Sequence, residues 1–154
     1  INFWIAHKPD PLWRVMRGVD LFFANEEEIK MLSQETNLIK AAKKVLGHGP
    51  CLVVVKKGEH GALVFGRDFV FGVLGHPCED VVDPTGAGDS FAGGFLGHLD
   101  WTGKFTRPEI RRAAVYGSVM ASFAIEDFSV ERFKSLRPEE IEKRFLQFRR
   151  LVSF

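Results

Sequence analysis

Apolar residues recur along the chain either as short continuous runs or at helical spacing, and the two patterns predict different elements. Continuous runs rich in β-branched and aromatic residues are typical of strands that are buried on both faces. Such runs predict strands or strand ends at residues 1–6, 21–24, 51–55, 62–65, 69–73 and 81–82. The fourth and fifth runs flank Gly66-Arg67-Asp68, which predicts a hairpin.

Apolar residues three and four positions apart predict helices between these runs. They lie at 12–17, 25–32, 37–47, 89–99, 106–125 and from 138 onwards. Thr106 and Glu109 have the spacing of a capping box at the start of one of these helices. Strands that alternate with helices favour an α/β fold with a mostly parallel sheet flanked by helices, and no linker divides the chain.

Composition narrows the function classes. The chain has 154 residues, of which 45% are hydrophobic and 27% charged, as in an ordinary globular protein. A net charge of +1 favours neither nucleic acid nor an anionic membrane as a partner. No apolar run approaches the roughly 20 residues of a membrane span, and the isolated Cys51 and Cys78 have no zinc spacing. We therefore expect a cytoplasmic protein with reduced thiols.

The stretch Asp83-Pro-Thr-Gly-Ala-Gly-Asp89 carries the strongest chemical signal, because an apolar segment leads through a glycine-rich turn into a helix. The first turn of a helix leaves its backbone N–H groups without intrahelical acceptors and carries the positive end of the helix dipole. Gly86 and Gly88 allow an oxygen to approach the backbone closely. The turn therefore predicts a phosphate site.

Asp89 has two interpretations that residue chemistry alone does not separate. It is either a carboxylate that stabilises the helix dipole or a general base beside an anion hole, and we weigh these equally. The motif is not a Walker A sequence, because Asp89 occupies the position of the lysine. It is not a dinucleotide fingerprint either, because Phe91 occupies the position of the third glycine.

The stretch 83–94, Asp-Pro-Thr-Gly-Ala-Gly-Asp-Ser-Phe-Ala-Gly-Gly, resembles the C-terminal signature of the ribokinase/PfkB carbohydrate kinases. The resemblance implies a ribokinase-like fold and transfer of the γ-phosphoryl group of ATP to a hydroxyl of a sugar or nucleoside. It also implies that Gly86, Ala87 and Gly88 form an anion hole and that Asp89 is the catalytic base. Asp83 and Thr85 match positions that bind a monovalent cation such as K⁺ in some members.

Asn25-Glu-Glu-Glu28 resembles the Asn-x-x-Glu motif of the same family. The resemblance implies that Asn25 and Glu28 help to place Mg²⁺ and the ATP phosphates through water. The structural alternative is a capping box, since an N-cap Asn followed by Glu at the third helical position has that pattern.

Two further segments resemble nucleotide-contacting regions of the family. Lys57-Gly58-Glu-His-Gly61 resembles a turn that lies against the nucleotide, with Lys57 near the phosphates; a hairpin turn with a solvated lysine is the alternative. Ser118 lies at a position that often contacts adenine, on a helix rich in small residues. Tight helix packing is the more economical explanation of those small residues and of Gly93 and Gly94.

The resemblance runs from about residue 2 to residue 151 and corresponds to the C-terminal half of the family. We expect the substrate pocket and lid to belong to an N-terminal half outside this chain, so that residues 1–154 alone show little turnover. The full-length protein is expected to be able to form a homodimer. The alternatives are a non-catalytic nucleotide-binding or regulatory module with the same fold and an unrelated α/β phosphate-binding domain.

Overall fold

A computed structural model describes residues 2–152. The chain divides into two compact units, Ile1–Gly72 and Val73–Phe154, although the sequence shows no linker between them. We refer to them as unit 1 and unit 2. No helix among the described residues is long and apolar enough to cross a membrane.

Unit 1 contains alternating helices and strands. Its elements are α1 (Asn2–His7), α2 (Pro9–Met16), β1 (Leu21–Asn25), α3 (Glu26–Ser33), α4 (Leu38–Leu46), β2 (Leu52–Lys56), β3 (Ala62–Gly66) and β4 (Val70–Val73), whose last residue belongs to unit 2. The four strands form one sheet in the order β1-β2-β3-β4. β1 and β2 are parallel, whereas β2 and β3 are antiparallel, so the sheet is mixed rather than mostly parallel.

The core of unit 1 lies where α3 and α4 cover the sheet. Ile29, Ala42 and Val45 from the helices are fully buried together with Val53 and Val55 of β2. Every residue of β2 from Leu52 to Val55 is buried, as its unbroken apolar run predicts. This packing fixes the ends of β1 and β2 side by side, with Asn25 opposite Lys56 in the register.

Unit 2 is helical. It contains α5 (Ala87–Thr102), α6 (Arg107–Ala124), α7 (Glu131–Ser135) and α8 (Pro138–Val152). α5 packs along α6, and Phe91, Phe95, Ala113, Ala114 and Phe123 are buried in this unit. The short helix α7 was not predicted from the sequence.

Two predicted strand segments are wrong. The first is the segment 1–6: its residues 2–6, together with His7, form α1, and Ile1 lies outside the described residues. Within α1 the ring of Phe3 stacks on that of His7, one turn later, with the ring centres 4.8 Å apart. Val81 and Val82 form no strand. They are 53% and 47% exposed, and the Val82 N–H donates to the Ile125 carbonyl instead of to a sheet partner.

The capping box predicted at Thr106 is also wrong in its contacts, although α6 begins where expected. Thr106 is the N-cap residue but makes no side-chain capping hydrogen bond. The Glu109 carboxylate instead accepts hydrogen bonds from His98 Nε2 and Arg112, each at 2.8 Å. His98 on α5 and Arg112 on the next turn of α6 thus occupy the carboxylate that a capping box would need.

Candidate active site

The glycine-rich turn in unit 2 leads from an exposed segment directly into α5. Asp89 N–H and Ser90 N–H donate to the Gly86 carbonyl at 3.1 and 2.9 Å, and these bonds start the helix. Ala87 N–H makes a long 3.3 Å bond to the Pro84 carbonyl. The N–H groups of Gly86 and Gly88 have no acceptor within residues 2–152. They are therefore available to an anion.

Gly86 is the N-cap of α5 and has a φ of +83°. L-residues with a Cβ adopt this left-handed region only at an energetic cost. A Cβ at Gly86 would meet nothing within 4 Å, so the glycine is required by the backbone angle and not by crowding within the protein. The turn thus depends on glycine for its conformation and leaves open space in front of it.

Asp89 is the third residue of α5, and its side chain is exposed. Its carboxylate has no hydrogen-bond or ion-pair partner in the part of the chain that the structure describes. A capping role would require an accepted backbone hydrogen bond, which is absent from these contacts. If Asp89 stabilises the helix, it does so only through the long-range electrostatic attraction between its charge and the helix dipole.

Asp83 opens the turn with a local hydrogen bond. Its Oδ1 accepts the Thr85 backbone N–H at 2.9 Å, and this bond and the Thr85 side chain lower the pKa of the Asp83 carboxyl from its ordinary value. Because the carboxylate is kept ionised at one edge of the turn, it contributes negative charge there. Asp83 and Thr85 thus lie together at the start of the glycine-rich turn.

The start of the turn is anchored by a residue that the sequence did not single out. The Ile125 carbonyl, just after α6, accepts N–H groups from Val82 at 2.8 Å and from Asp83 at 3.4 Å. A backbone carbonyl leaves no trace in residue type, so only the fold could reveal this anchor.

Close packing against α6 holds α5 behind the turn. A Cβ added at Gly94 would lie 2.8 Å from the Tyr116 carbonyl oxygen and 2.7 Å from Met120 Cγ. A Cβ at Gly117 would lie 2.8 Å from the Phe91 carbonyl oxygen. Glycines at these two positions let the helices approach, which favours the packing interpretation there. Packing does not explain Gly93, because a Cβ added at that position would meet nothing within 4 Å.

Ser118 is only 4% exposed and has a structural role. Its hydroxyl donates to the Leu74 carbonyl at 2.8 Å and accepts the His76 N–H at 3.1 Å. These bonds tie the segment after β4 to α6. Its donor is therefore used within unit 2, which argues against a direct side-chain contact with adenine.

In unit 1, Asn25 and Glu28 form the capping box of α3. Asn25 Oδ1 accepts the Glu28 N–H at 2.8 Å, and Glu28 Oε2 accepts the Asn25 N–H at 2.9 Å. The structural alternative that the sequence left open is thus present. Glu28 is 9% exposed, so any approach of a metal to its carboxylate is restricted.

Lys57 lies near the same edge of the sheet because it follows the end of β2. Its Nζ lies 3.9 Å from Glu26 Oε2, and its backbone N–H donates to the Gly61 carbonyl at 2.8 Å. Gly58 and Gly61 have φ angles of +58° and +90°, which explains glycine at both ends of this tight turn. Lys57 is therefore paired with an acidic neighbour and is not simply solvated.

No cluster of three or more His, Cys, Asp or Glu side chains among residues 2–152 could hold a metal ion. Magnesium, however, keeps several waters and binds nucleotide phosphates, so few protein ligands suffice. The oxygens of Asn25 and Glu28 that form the capping box are turned towards backbone N–H groups. These residues fit a water-bridged contact with magnesium better than direct coordination.

Sequence comparison places these features in a family. A family model described as pfkB family carbohydrate kinase matches residues 3–134. The chain is 42% identical over 88 residues to the cytidine kinase of Thermococcus kodakarensis, covering 56% of this chain and 32% of that protein. It is 30% identical over 117 residues to a nucleoside kinase of Methanothermobacter thermautotrophicus, covering 75% and 35% respectively.

Solved structures show the same architecture. A ribokinase II candidate from E. coli, solved with ATP and Mg²⁺, is 29% identical with a TM-score of 0.76 and covers 93% of this chain and 44% of its own. The ribokinase of Thermotoga maritima is 28% identical with a TM-score of 0.73, over 88% of this chain and 44% of that one. The chain spans about a third of the length of the cytidine kinase and of the nucleoside kinase named above.

Proposed function

The chain belongs to the pfkB family of carbohydrate kinases, and on that premise we propose that it carries the catalytic turn of an ATP-dependent kinase. The reaction is transfer of the γ-phosphoryl group of ATP to a hydroxyl of a sugar or nucleoside. Asp89 is the general base that accepts the proton of the attacking hydroxyl, and the N–H groups of Gly86 and Gly88 form the anion hole, with Ala87 between them.

The observation that carries this proposal is the unpartnered carboxylate of Asp89 beside unpaired backbone donors. Phosphoryl transfer requires an oriented hydroxyl, a proton acceptor and stabilisation of charge on the moving phosphoryl group. A carboxylate that is exposed and free of internal partners can reach a substrate hydroxyl. Backbone donors at the start of α5 can stabilise the transferred group at the same turn.

The residues of unit 1 that the sequence singled out fit binding of the nucleotide and its magnesium ion, and not proton transfer. We propose that Lys57 and the turn from Gly58 to Gly61 lie beside the nucleotide, and that Asn25 and Glu28 hold waters of the magnesium shell. Magnesium that binds with ATP would neutralise part of the phosphate charge.

In unit 2, the ionised Asp83 and the backbone of Thr85 fit a monovalent cation such as K⁺ at the entrance of the turn.

The named relatives favour a nucleoside as the acceptor. The similar proteins from Thermococcus kodakarensis and Methanothermobacter thermautotrophicus are a cytidine kinase and a nucleoside kinase. We therefore propose a nucleoside hydroxyl before a sugar hydroxyl. The pocket for this acceptor is expected to include residues outside this chain, and turnover by residues 1–154 alone is expected to be weak.

The proposal is tested by Asp89→Asn in the protein that carries this chain at its full length. Loss of the general base is expected to lower kcat by about 10²–10⁴-fold while ATP binding persists. Asp100→Asn is the matched control, because Asp100 is another exposed aspartate on α5, in its last turn. A rate for Asp89→Asn equal to that of Asp100→Asn would exclude Asp89 from the mechanism.

A further inference from the structure

The Ile125 carbonyl accepts the Val82 and Asp83 N–H groups at the entrance of the proposed catalytic turn, and the next residue, Glu126, makes several side-chain contacts. α6 ends at Ala124, so Ile125 and Glu126 lie beyond its last hydrogen-bonded turn. The Glu126 N–H still donates to the Phe123 carbonyl at 3.2 Å. Without further contacts, such a helix end frays easily.

Glu126 supplies those contacts through both of its carboxylate oxygens. Oε1 forms a 2.6 Å ion pair with Arg144 of α8, and Oε2 accepts a 2.9 Å hydrogen bond from Nε of Arg132 of α7. The three side chains are only 19–28% exposed. Ion pairs that are partly shielded from water and made in defined geometry constrain position more than exposed pairs do.

The two arginines are fixed in turn by contacts to the last turn of α6 and to α8. Arg144 donates to Ser122 Oγ at 3.0 Å, and its guanidinium lies 3.5 Å from the centre of the Phe123 ring. Arg132 lies 5.0 Å from the same ring centre and donates to Glu140 at 2.7 Å. Glu126 is thus the centre of a network that joins the end of α6 to α7 and α8.

We propose that Glu126 is a positioning residue for the catalytic turn. It fixes the end of α6, the Ile125 carbonyl fixes Val82 and Asp83, and these residues orient the turn that presents Asp89. The catalytic consequence rests on the proposed kinase function, whereas the structural coupling does not. Arg144 and Glu140 lie beyond residue 134, where the family match ends, so part of the network is outside the matched region.

The test combines local amide exchange with kinetics in the full-length protein that carries this chain. Glu126→Ala removes both ion pairs, and Glu126→Gln retains the size of the side chain should the alanine variant fail to fold. Glu131→Gln is the control, because Glu131 pairs with Lys134 at 2.6 Å on an exposed surface. Arg144→Gln removes the contact from the other side.

Exchange of the Val82 amide, whose acceptor is Ile125, is expected to accelerate by about 10-fold in the Glu126 and Arg144 variants. The Phe95 amide in the buried part of α5 reports general unfolding of unit 2 and is expected to change by less than about 3-fold. In the same variants kcat is expected to fall by about 10-fold, with KM for ATP within about 3-fold, because ground-state binding is retained. The Glu131→Gln control should leave all of these values unchanged.

Each outcome decides the proposal. Unchanged Val82 exchange in the Glu126 variants overturns the coupling, and equal acceleration of Val82 and Phe95 reduces Glu126 to a general stabilising residue. Faster Val82 exchange with an unchanged kcat overturns the catalytic consequence. If the unsubstituted protein transfers no phosphoryl group, the proposed function fails, and Val82 exchange alone still supports or overturns the coupling.

Discussion

Units 1 and 2 each contain an acidic residue at the third position of a helix, but the two carboxylates have opposite environments. In unit 1, Glu28 is buried and accepts the Asn25 N–H in a closed capping box. In unit 2, Asp89 is exposed, and its carboxylate has no partner among the described residues. The same position in a helix thus serves local stability in one unit and is left open in the other.

This difference separates two kinds of signature residue. A side chain that hydrogen-bonds to backbone N–H groups of its own helix contributes to stability. A ligand can then bind only to the lone pairs that these hydrogen bonds leave unused. A carboxylate without internal partners adds little to stability and is available to a substrate. We therefore expect substitutions in unit 1 to affect mainly the free energy of unfolding and Asp89 substitutions to affect mainly turnover.

The largest stability effect is expected at Gly94, because α5 supports the open turn through its close contact with α6. Gly94→Ala places a Cβ against the Tyr116 carbonyl and Met120, and we expect a loss of about 1–3 kcal/mol in the free energy of unfolding. Gly93→Ala is the matched control, because a Cβ at Gly93 meets nothing within 4 Å. That variant should gain about 0.5–1 kcal/mol from helix propensity.

Denaturant unfolding of both variants measures these changes. Opposite signs at adjacent positions would show that packing of α5, and not its backbone entropy, dominates at Gly94. Equal stabilisation by both alanines would mean that α5 and α6 do not need this close approach.

Loss of the unit 1 capping box is the next largest expected effect. Asn25→Ala removes the acceptor of the Glu28 N–H, and N-cap substitutions of this kind cost about 0.5–2 kcal/mol. Asn37→Ala is the control, because Asn37 caps α4 by accepting the N–H groups of Ile39 and Lys40. We expect similar losses of stability from both variants in urea unfolding.

Activity then tests the second role proposed for Asn25. If Asn25 also holds waters of the magnesium shell, its alanine variant should raise the Mg²⁺ concentration needed for half-maximal rate, whereas Asn37→Ala should not. Identical magnesium dependence in the two variants would leave Asn25 with a structural role alone.

The smallest effect expected is a pH dependence of stability in unit 2. The hydrogen bond from His98 holds the pKa of the Glu109 carboxyl below its ordinary value of 4.5. A carboxyl whose pKa is lower in the folded state contributes stability above its unfolded pKa, and this contribution is lost as the pH falls through the folded pKa. Glu109→Gln should therefore flatten the acid limb of the stability curve.

The contribution of the Glu109 carboxylate is measured by urea unfolding of the unsubstituted protein and of Glu109→Gln at a series of pH values from pH 7 downwards. The difference in free energy should be largest above pH 4.5, the ordinary pKa, and should shrink below it. A difference that stays constant with pH would show that the carboxylate charge contributes nothing to the contact between α5 and α6.

The elements that the sequence predicted well are those with a long or regular apolar pattern. β2 and α4 lie within one or two residues of their predicted bounds, because a continuous β-branched run and an Asn N-cap are strong local signals. The segment 1–6 failed because a short apolar run fits a strand or a helix, and the Phe3–His7 contact one turn apart belongs to a helix.

Other features depend on contacts between segments distant in sequence. Glu109 has capping-box spacing, yet His98 from α5 takes its carboxylate. Val82 has the residue type of a strand but bonds to Ile125, 43 positions away in the sequence. The glycine-rich turn was predictable because its chemistry is local, whereas its anchor at Ile125 and the network around Glu126 were not.

Kinase activity is tested directly by transfer of the labelled γ-phosphoryl group of ATP in the full-length protein, with nucleosides and sugars as acceptors. We expect ADP and a phosphorylated acceptor in equal amounts, with the label on an acceptor hydroxyl, and near-complete loss of both products in Asp89→Asn. ATP binding without any labelled acceptor across nucleosides and sugars would contradict this expectation and would indicate a non-catalytic nucleotide-binding module.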